Sequence, residues 1–98
     1  MYAILWTYAV KADERGRFER TYGPDGEWAR LFARAEGYLG TELYLDADGS
    51  YLTIDRWESQ ARFAAFLTAH RADYDALDSE TEGLTVEERR IGAWESVA

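Results

Sequence analysis

Cysteine is absent from the 98 residues of this chain, which excludes disulfides, thiolate metal sites and cysteine nucleophiles. Asparagine is absent as well, and histidine occurs once, at His70. A metal centre would need carboxylates to complete it, and the acids between Asp73 and Glu88 follow no recognised cation-loop spacing. Glycine-rich phosphate loops and nucleophile elbows are missing too. Eleven Lys and Arg against nineteen Asp and Glu leave a formal charge of −8. The scattered basic residues offer no clustered surface to nucleic acid or to an anionic membrane. No apolar run approaches the ~20 residues of a membrane span. Met1-Tyr-Ala-Ile-Leu-Trp6 lacks the basic region and small-residue cleavage site of a signal peptide. The expectation is one soluble, cytoplasmic domain over residues 1–98.

What the chain has is aromatic bulk. Hydrophobic residues make up 47% and aromatic residues 15%, including four Trp and seven Tyr, so a packed interior forms rather than a disordered coil. Residues 2–10 read as a strand. Asp13 and Glu14 open a short helix bearing Phe18 and Tyr22, which Gly23-Pro24 stops. Asp25 is placed to cap a second helical piece carrying Trp28, Leu31, Phe32 and Ala35, ended by Gly37. Tyr38 to Asp46 and Tyr51 to Glu58 read as strands joined through Asp48-Gly49, where glycine supplies the positive φ of a tight hairpin. Ser59 caps the main helix, whose stripe of Phe63, Phe66, Leu67, His70, Tyr74 and Leu77 follows the 3.6-residue period. The acids from Asp73 to Glu88 read as a solvated connection, and Arg90 to Val97 as a last strand. The order β-α-β-β-α-β predicts an α+β, ferredoxin-like domain: a four-stranded antiparallel sheet with helices on one face.

Strand parity carries a further consequence. Tyr2, Ile4, Trp6, Tyr8 and Val10 point one way along the first strand, and Ala3, Leu5, Thr7 and Ala9 the other, so neither face is polar. Two helices cover one face only. The second apolar face therefore predicts a homodimer formed through the sheet. On the third strand Tyr51, Thr53, Asp55 and Trp57 share a face, and Arg56 points to the dimer side or to solvent.

The segments Gly37-Tyr-Leu-Gly-Thr-Glu-Leu43 and Asp55-Arg-Trp-Glu-Ser59, the latter followed by Phe63, resemble the antibiotic biosynthesis monooxygenase family from Tyr2 to about Trp94. That resemblance implies a dimeric α+β barrel with a cavity between sheet and helices. It also implies cofactor-free oxygenation of a small planar aromatic substrate, with no metal and no cofactor. Such chemistry needs a base and a stabilised anion. His70 is the candidate base, since an imidazole titrates near working pH; a core histidine bonded to a carbonyl is the plainer reading. Trp57 is the candidate wall and N–H donor, or simply a packed strand end. Tyr8, Tyr51, Phe66, Tyr74 and Trp94 are candidate substrate-binding walls, each also a plausible core residue. The family's haem-degrading relatives use an asparagine on the first strand, which this chain lacks. Without asparagine, a Thr or Tyr hydroxyl would serve as donor. The alternative function is a non-enzymatic dimer holding an apolar metabolite in the same cavity.

Overall fold

The structure, a computed structural model, describes residues 1–97. Strands β1 (Tyr2–Val10), β2 (Tyr38–Leu45), β3 (Tyr51–Trp57) and β4 (Thr85–Glu95) form one antiparallel sheet in the order β2-β3-β1-β4. Helices α1 (Arg15–Tyr22), α2 (Glu27–Phe32) and α3 (Gln60–Thr81) complete the ferredoxin-like α+β fold, with single 3-10 turns at Ala12–Glu14 and Glu82–Leu84.

The register turns strand parity into a surface. Tyr2 pairs with Trp57, Ile4 with Asp55, Trp6 with Thr53 and Tyr8 with Tyr51, so these eight side chains share one face of the sheet. Thr41 of β2 lies opposite Asp55, and Glu88 of β4 opposite Tyr8, which extends that face to both edges. Over it pack Phe18 and Tyr22 of α1, Trp28, Leu31 and Phe32 of α2, and Phe66 and Leu77 of α3. The opposite face carries Leu5, Leu52, Ile54, Leu39, Tyr44 and Trp94, uncovered within the chain.

Local sequence sets the punctuation. Gly49 takes φ 91° in the β2–β3 turn, which Asp46 N–H closes onto the Ser50 carbonyl at 2.8 Å. Ser59 caps α3, its Oγ accepting from the Arg62 N–H at 3.2 Å.

Two expectations are corrected. Residues Asp73 to Glu88 are not a loose connection: α3 runs to Thr81 and β4 begins at Thr85, five residues before Arg90. Leu77, Thr81 and Leu84 are all buried at helical spacing and pin this stretch while its acids stay solvent-exposed. Charged residues early in β4 suit an edge strand, where they discourage pairing with another sheet. The second correction is at α2, whose N-cap is Gly26 and not Asp25. The chain there crosses so near the end of α1 that a Cβ on residue 26 would overlap the carbonyl oxygens of Thr21 and Arg20. Gly26→Ala is therefore expected to destabilise the fold by about 2 kcal/mol or more, read as a lower urea midpoint, whereas Gly83→Ala, with nothing within 4 Å, is expected to have little effect.

Candidate functional site

Between the covered face of the sheet and the helices lies a cavity of about 60 Å³, room for on the order of four waters, open to solvent on one side. Its floor is Trp6, Tyr8, Thr53 and Asp55 from the two central strands and Thr41 from β2. Tyr22, Trp28, Phe32 and Tyr74 roof it from the helices, and the exposed Asp78 and Glu88 mark its mouth.

Asp55 is the chemically distinctive residue. Parity turns it inward from β3, where protein surrounds it on nearly every side and only the cavity leaves it some accessible surface. Desolvation pushes its carboxyl up to about 6, against a smaller opposing effect from the Thr41 hydroxyl, which donates to Oδ1 at 2.7 Å. Thr41 is bonded in turn to the Tyr38 hydroxyl at 2.6 Å. With the Thr41 proton committed to an ionised Asp55, Tyr38 must donate to Thr41, giving a chain from Tyr38 through Thr41 to Asp55. Tyr8 shares a 3.0 Å hydrogen bond with Thr53, and burial raises its hydroxyl well above the usual range. Burial likewise drives Tyr22 up to about 12, with the Glu88 charge adding to it; Tyr22 donates to Glu88 at 3.3 Å. Glu88 is itself raised, by burial and then by the charge of Asp78. The wall thus combines a carboxylate poised between charged and neutral forms with phenols that stay protonated.

Of the residues singled out from sequence, Tyr8 and Tyr74 line the cavity and the others do not. Trp57 has no exposed surface: it sits in a ring of Phe32, Tyr38, Phe63 and Phe66 with centroids 5.3–5.7 Å away, and its indole N–H is buried and unpaired. His70 is half-buried and stacks on Phe66 at 5.4 Å. Its backbone, at φ −123° and ψ 26°, interrupts α3. Phe66 is core. Tyr51 is buried under the Arg15 guanidinium with its hydroxyl bonded to Glu19. Trp94 lies on the opposite face of the sheet, 52% exposed, because it pairs with the outward Ala3. Arg56 also points outward, as its parity predicts, and pairs with Glu42 at 2.5 Å. Asp55 carried a legible signal, a carboxylate at an inward strand position; Asp78, one turn after Tyr74, carried a weaker one.

No helix among the described residues is long and apolar enough to cross a membrane. Residues 1–72 match the family described as antibiotic biosynthesis monooxygenase. None of the curated proteins matches the chain in sequence. Solved structures share the fold at low identity. A Nitrosomonas europaea protein described under the same family name superposes with a TM-score of 0.70 at 14% identity, each chain fully covered. A monooxygenase of Streptomyces coelicolor, ActVA-Orf6, solved with nanaomycin D, gives 0.69 at 17%, over 99% of this chain and 88% of that one. SnoaB, a cofactor-independent oxygenase of Streptomyces nogalater, gives 0.61 at 22%, over 99% and 93%. The family match spans well over half of the sequence, and the chain accordingly belongs to the antibiotic biosynthesis monooxygenase family.

Proposed function

We propose that this chain is a homodimeric oxygenase that deprotonates a small planar aromatic phenol or enol in the cavity, with Asp55 as the base, and passes the resulting electrons directly to dioxygen. The observation that carries the reading is Asp55 itself: a carboxylate held at about 6 by burial, in an aromatic-lined cavity, in a chain of an oxygenase family. The cofactor-independent oxygenase named among the similar folds agrees with it.

Asp55 takes the proton of the phenol or enol, which gives the same anion as removing a proton from the ring CH2 of its keto tautomer. The carbanion gives its electron pair to dioxygen, forming a C–O bond and a peroxide that is then protonated. Loss of the second C–H proton with departure of hydroxide leaves C=O and water. The carbon loses four electrons and dioxygen gains four, so CH2 and O2 become C=O and H2O with no external reductant. A substrate group of pKa ~10 leaves about four units, roughly 5 kcal/mol, between it and Asp55, a proton transfer uphill but within reach of an enzymatic step. With about 60 Å³ of accessible space, well short of the ~150 Å³ that encloses a benzene, only the reacting edge of the ring enters while the remainder of the aromatic extends toward Asp78 and Glu88.

Dimerisation is supported by the uncovered face, where Leu39, Tyr44 and Trp94 are each about half exposed. Trp94→Glu is expected to move the protein from dimer to monomer in analytical ultracentrifugation; an unchanged mass would put the interface elsewhere.

Oxygen uptake with hydroxyanthrones and naphthols tests the chemistry. Asp55→Asn should lower the rate by about 100-fold or more, and His70→Ala should leave it within about three-fold. The reverse order would transfer the role of base to His70, and no uptake by the wild type would favour a non-enzymatic binder.

The same variant has a stability signature. The folded-state pKa of Asp55, about 6, stands above its ordinary 3.8, so the folded protein holds a proton that the unfolded chain loses between these values. Stability from this group is full below pH 4, falls as pH rises through 4 to 6, and levels off above, a loss of up to about 3 kcal/mol. Asp55→Asn, which keeps an acceptor for Thr41, is expected to raise stability by about 1–3 kcal/mol at pH 7.5 and to change it little at pH 4, measured by urea unfolding at both.

A further inference from the structure

The chemistry proposed above creates an anion in a cavity with no cation in its wall. Among the lining residues three are carboxylic acids, Asp55, Asp78 and Glu88, and none is Lys, Arg or His. Burial raises the Tyr74 hydroxyl first; the charges of Asp78, Asp55 and Glu88 add to it and Arg71 opposes them, so the three acids act on one shared space that this phenol lines. The Arg71 guanidinium stands over the Tyr74 ring at 5.8 Å, outside the cavity wall, and is paired with Asp75 at 3.4 Å. A phenolate formed here would meet three acids in the wall and only the partial countercharge that Arg71 exerts from outside it.

The remaining wall is a set of aromatic faces. Trp6, Tyr8, Tyr22, Trp28, Phe32 and Tyr74 enclose the space, and electron-rich rings combined with acids are what recognises organic ammonium groups. A bare metal ion fits less well: among the described residues no three His, Cys, Asp or Glu converge closely enough to hold one. The acids are spread round a volume, as a bulky cation requires. Trp28 adds a second, independent observation. It is 8% exposed, lines the cavity, and its buried indole N–H has no hydrogen-bond partner, although it lies near enough to the Tyr22 hydroxyl to ease that group's ionisation. With almost no accessible surface of its own, that donor meets a ligand oxygen only if the Tyr22 hydroxyl beside it shifts.

We propose that the cavity takes an aromatic ligand bearing both a ring oxygen and a cationic nitrogen, the ammonium held by Asp78, Glu88 and the ring faces at the mouth. The substrate then brings the countercharge that the wall lacks. An ammonium at the mouth offsets the charge of Asp78 and Glu88 there, which eases formation of the anion deeper in the cavity. This assignment rests on the reading of the cavity as the substrate site.

Three phenols test it on the wild-type protein: tyramine as the cation, 4-propylphenol as its neutral isostere and the slightly longer 3-(4-hydroxyphenyl)propionate as the anion, titrated by calorimetry at pH 7.5. Tyramine is expected to bind at least about ten-fold more tightly than 4-propylphenol, with the propionate weakest. Asp78→Asn and Glu88→Gln, both at the exposed mouth, should each weaken tyramine several-fold and leave 4-propylphenol unchanged. Equal or tighter binding of 4-propylphenol by the wild type would overturn the proposal. So would a tyramine advantage that survives in the Asp78→Asn/Glu88→Gln double variant, since the preference would then come from the overall charge of −8. Oxygen uptake with naphthols but no ammonium advantage would sink the cation alone and leave the oxygenase standing. Failure of all three phenols to bind would overturn the proposal, and the oxygenase would then stand or fall on uptake with hydroxyanthrones and naphthols.

Discussion

Everything else in this fold hangs on the burial of one indole. Trp57 ends β3 with no exposed surface, and the rings around it belong to α2, β2 and α3. Hiding a ring of this size stabilises the fold by several kcal/mol at about 25 cal/mol per Å². Leaving its N–H unpaired costs about 1–3 kcal/mol of that. The balance favours burial, and it fixes where the helices sit over the sheet. Two residues back along the strand, Asp55 is held in the same layer by the same register, and there the burial that stabilises Trp57 acts against a charge.

The cavity follows from this arrangement. β3 delivers Asp55 and Thr53, β1 delivers Trp6 and Tyr8, and both strands must have their register locked before these four meet the roof. The aromatic rings keep bulk water from most of the space, and their exclusion of water is what raises Asp55. Thr41, opposite Asp55 across the β2–β3 ladder, donates its hydroxyl to the carboxylate that the rings desolvate.

Much of this was legible in the sequence. Period-2 alternation put Tyr8, Asp55 and Trp57 on one face, Asp48-Gly49 fixed the hairpin, and Ser59 marked the start of α3. The start of β4 was hidden because Glu87, Glu88 and Arg89 make an edge strand look like a loop. The candidate site was only half readable, for a related reason. His70 and Trp57 are distinctive as residues, but the cavity depends on which rings close upon one another in three dimensions. Tight packing consumed Trp57, whereas the space opened beside Tyr74 and Asp55. Asp78 and Glu88 are unremarkable acids among many until α3 and β4 bring them to one mouth.

The interruption of α3 at His70 divides the helix by task. Before it, the segment capped by Ser59 carries Phe63 and Phe66, which enclose Trp57; after it come Tyr74 and Asp78, which face the cavity. The family match ends at residue 72, two residues past the break. Three of the four roof residues, Tyr22, Trp28 and Phe32, lie within the matched stretch, whereas Tyr74 and both mouth acids lie beyond it. Changes at Tyr74, Asp78 or Glu88 can therefore reshape the mouth of the cavity without touching the rings that enclose Trp57.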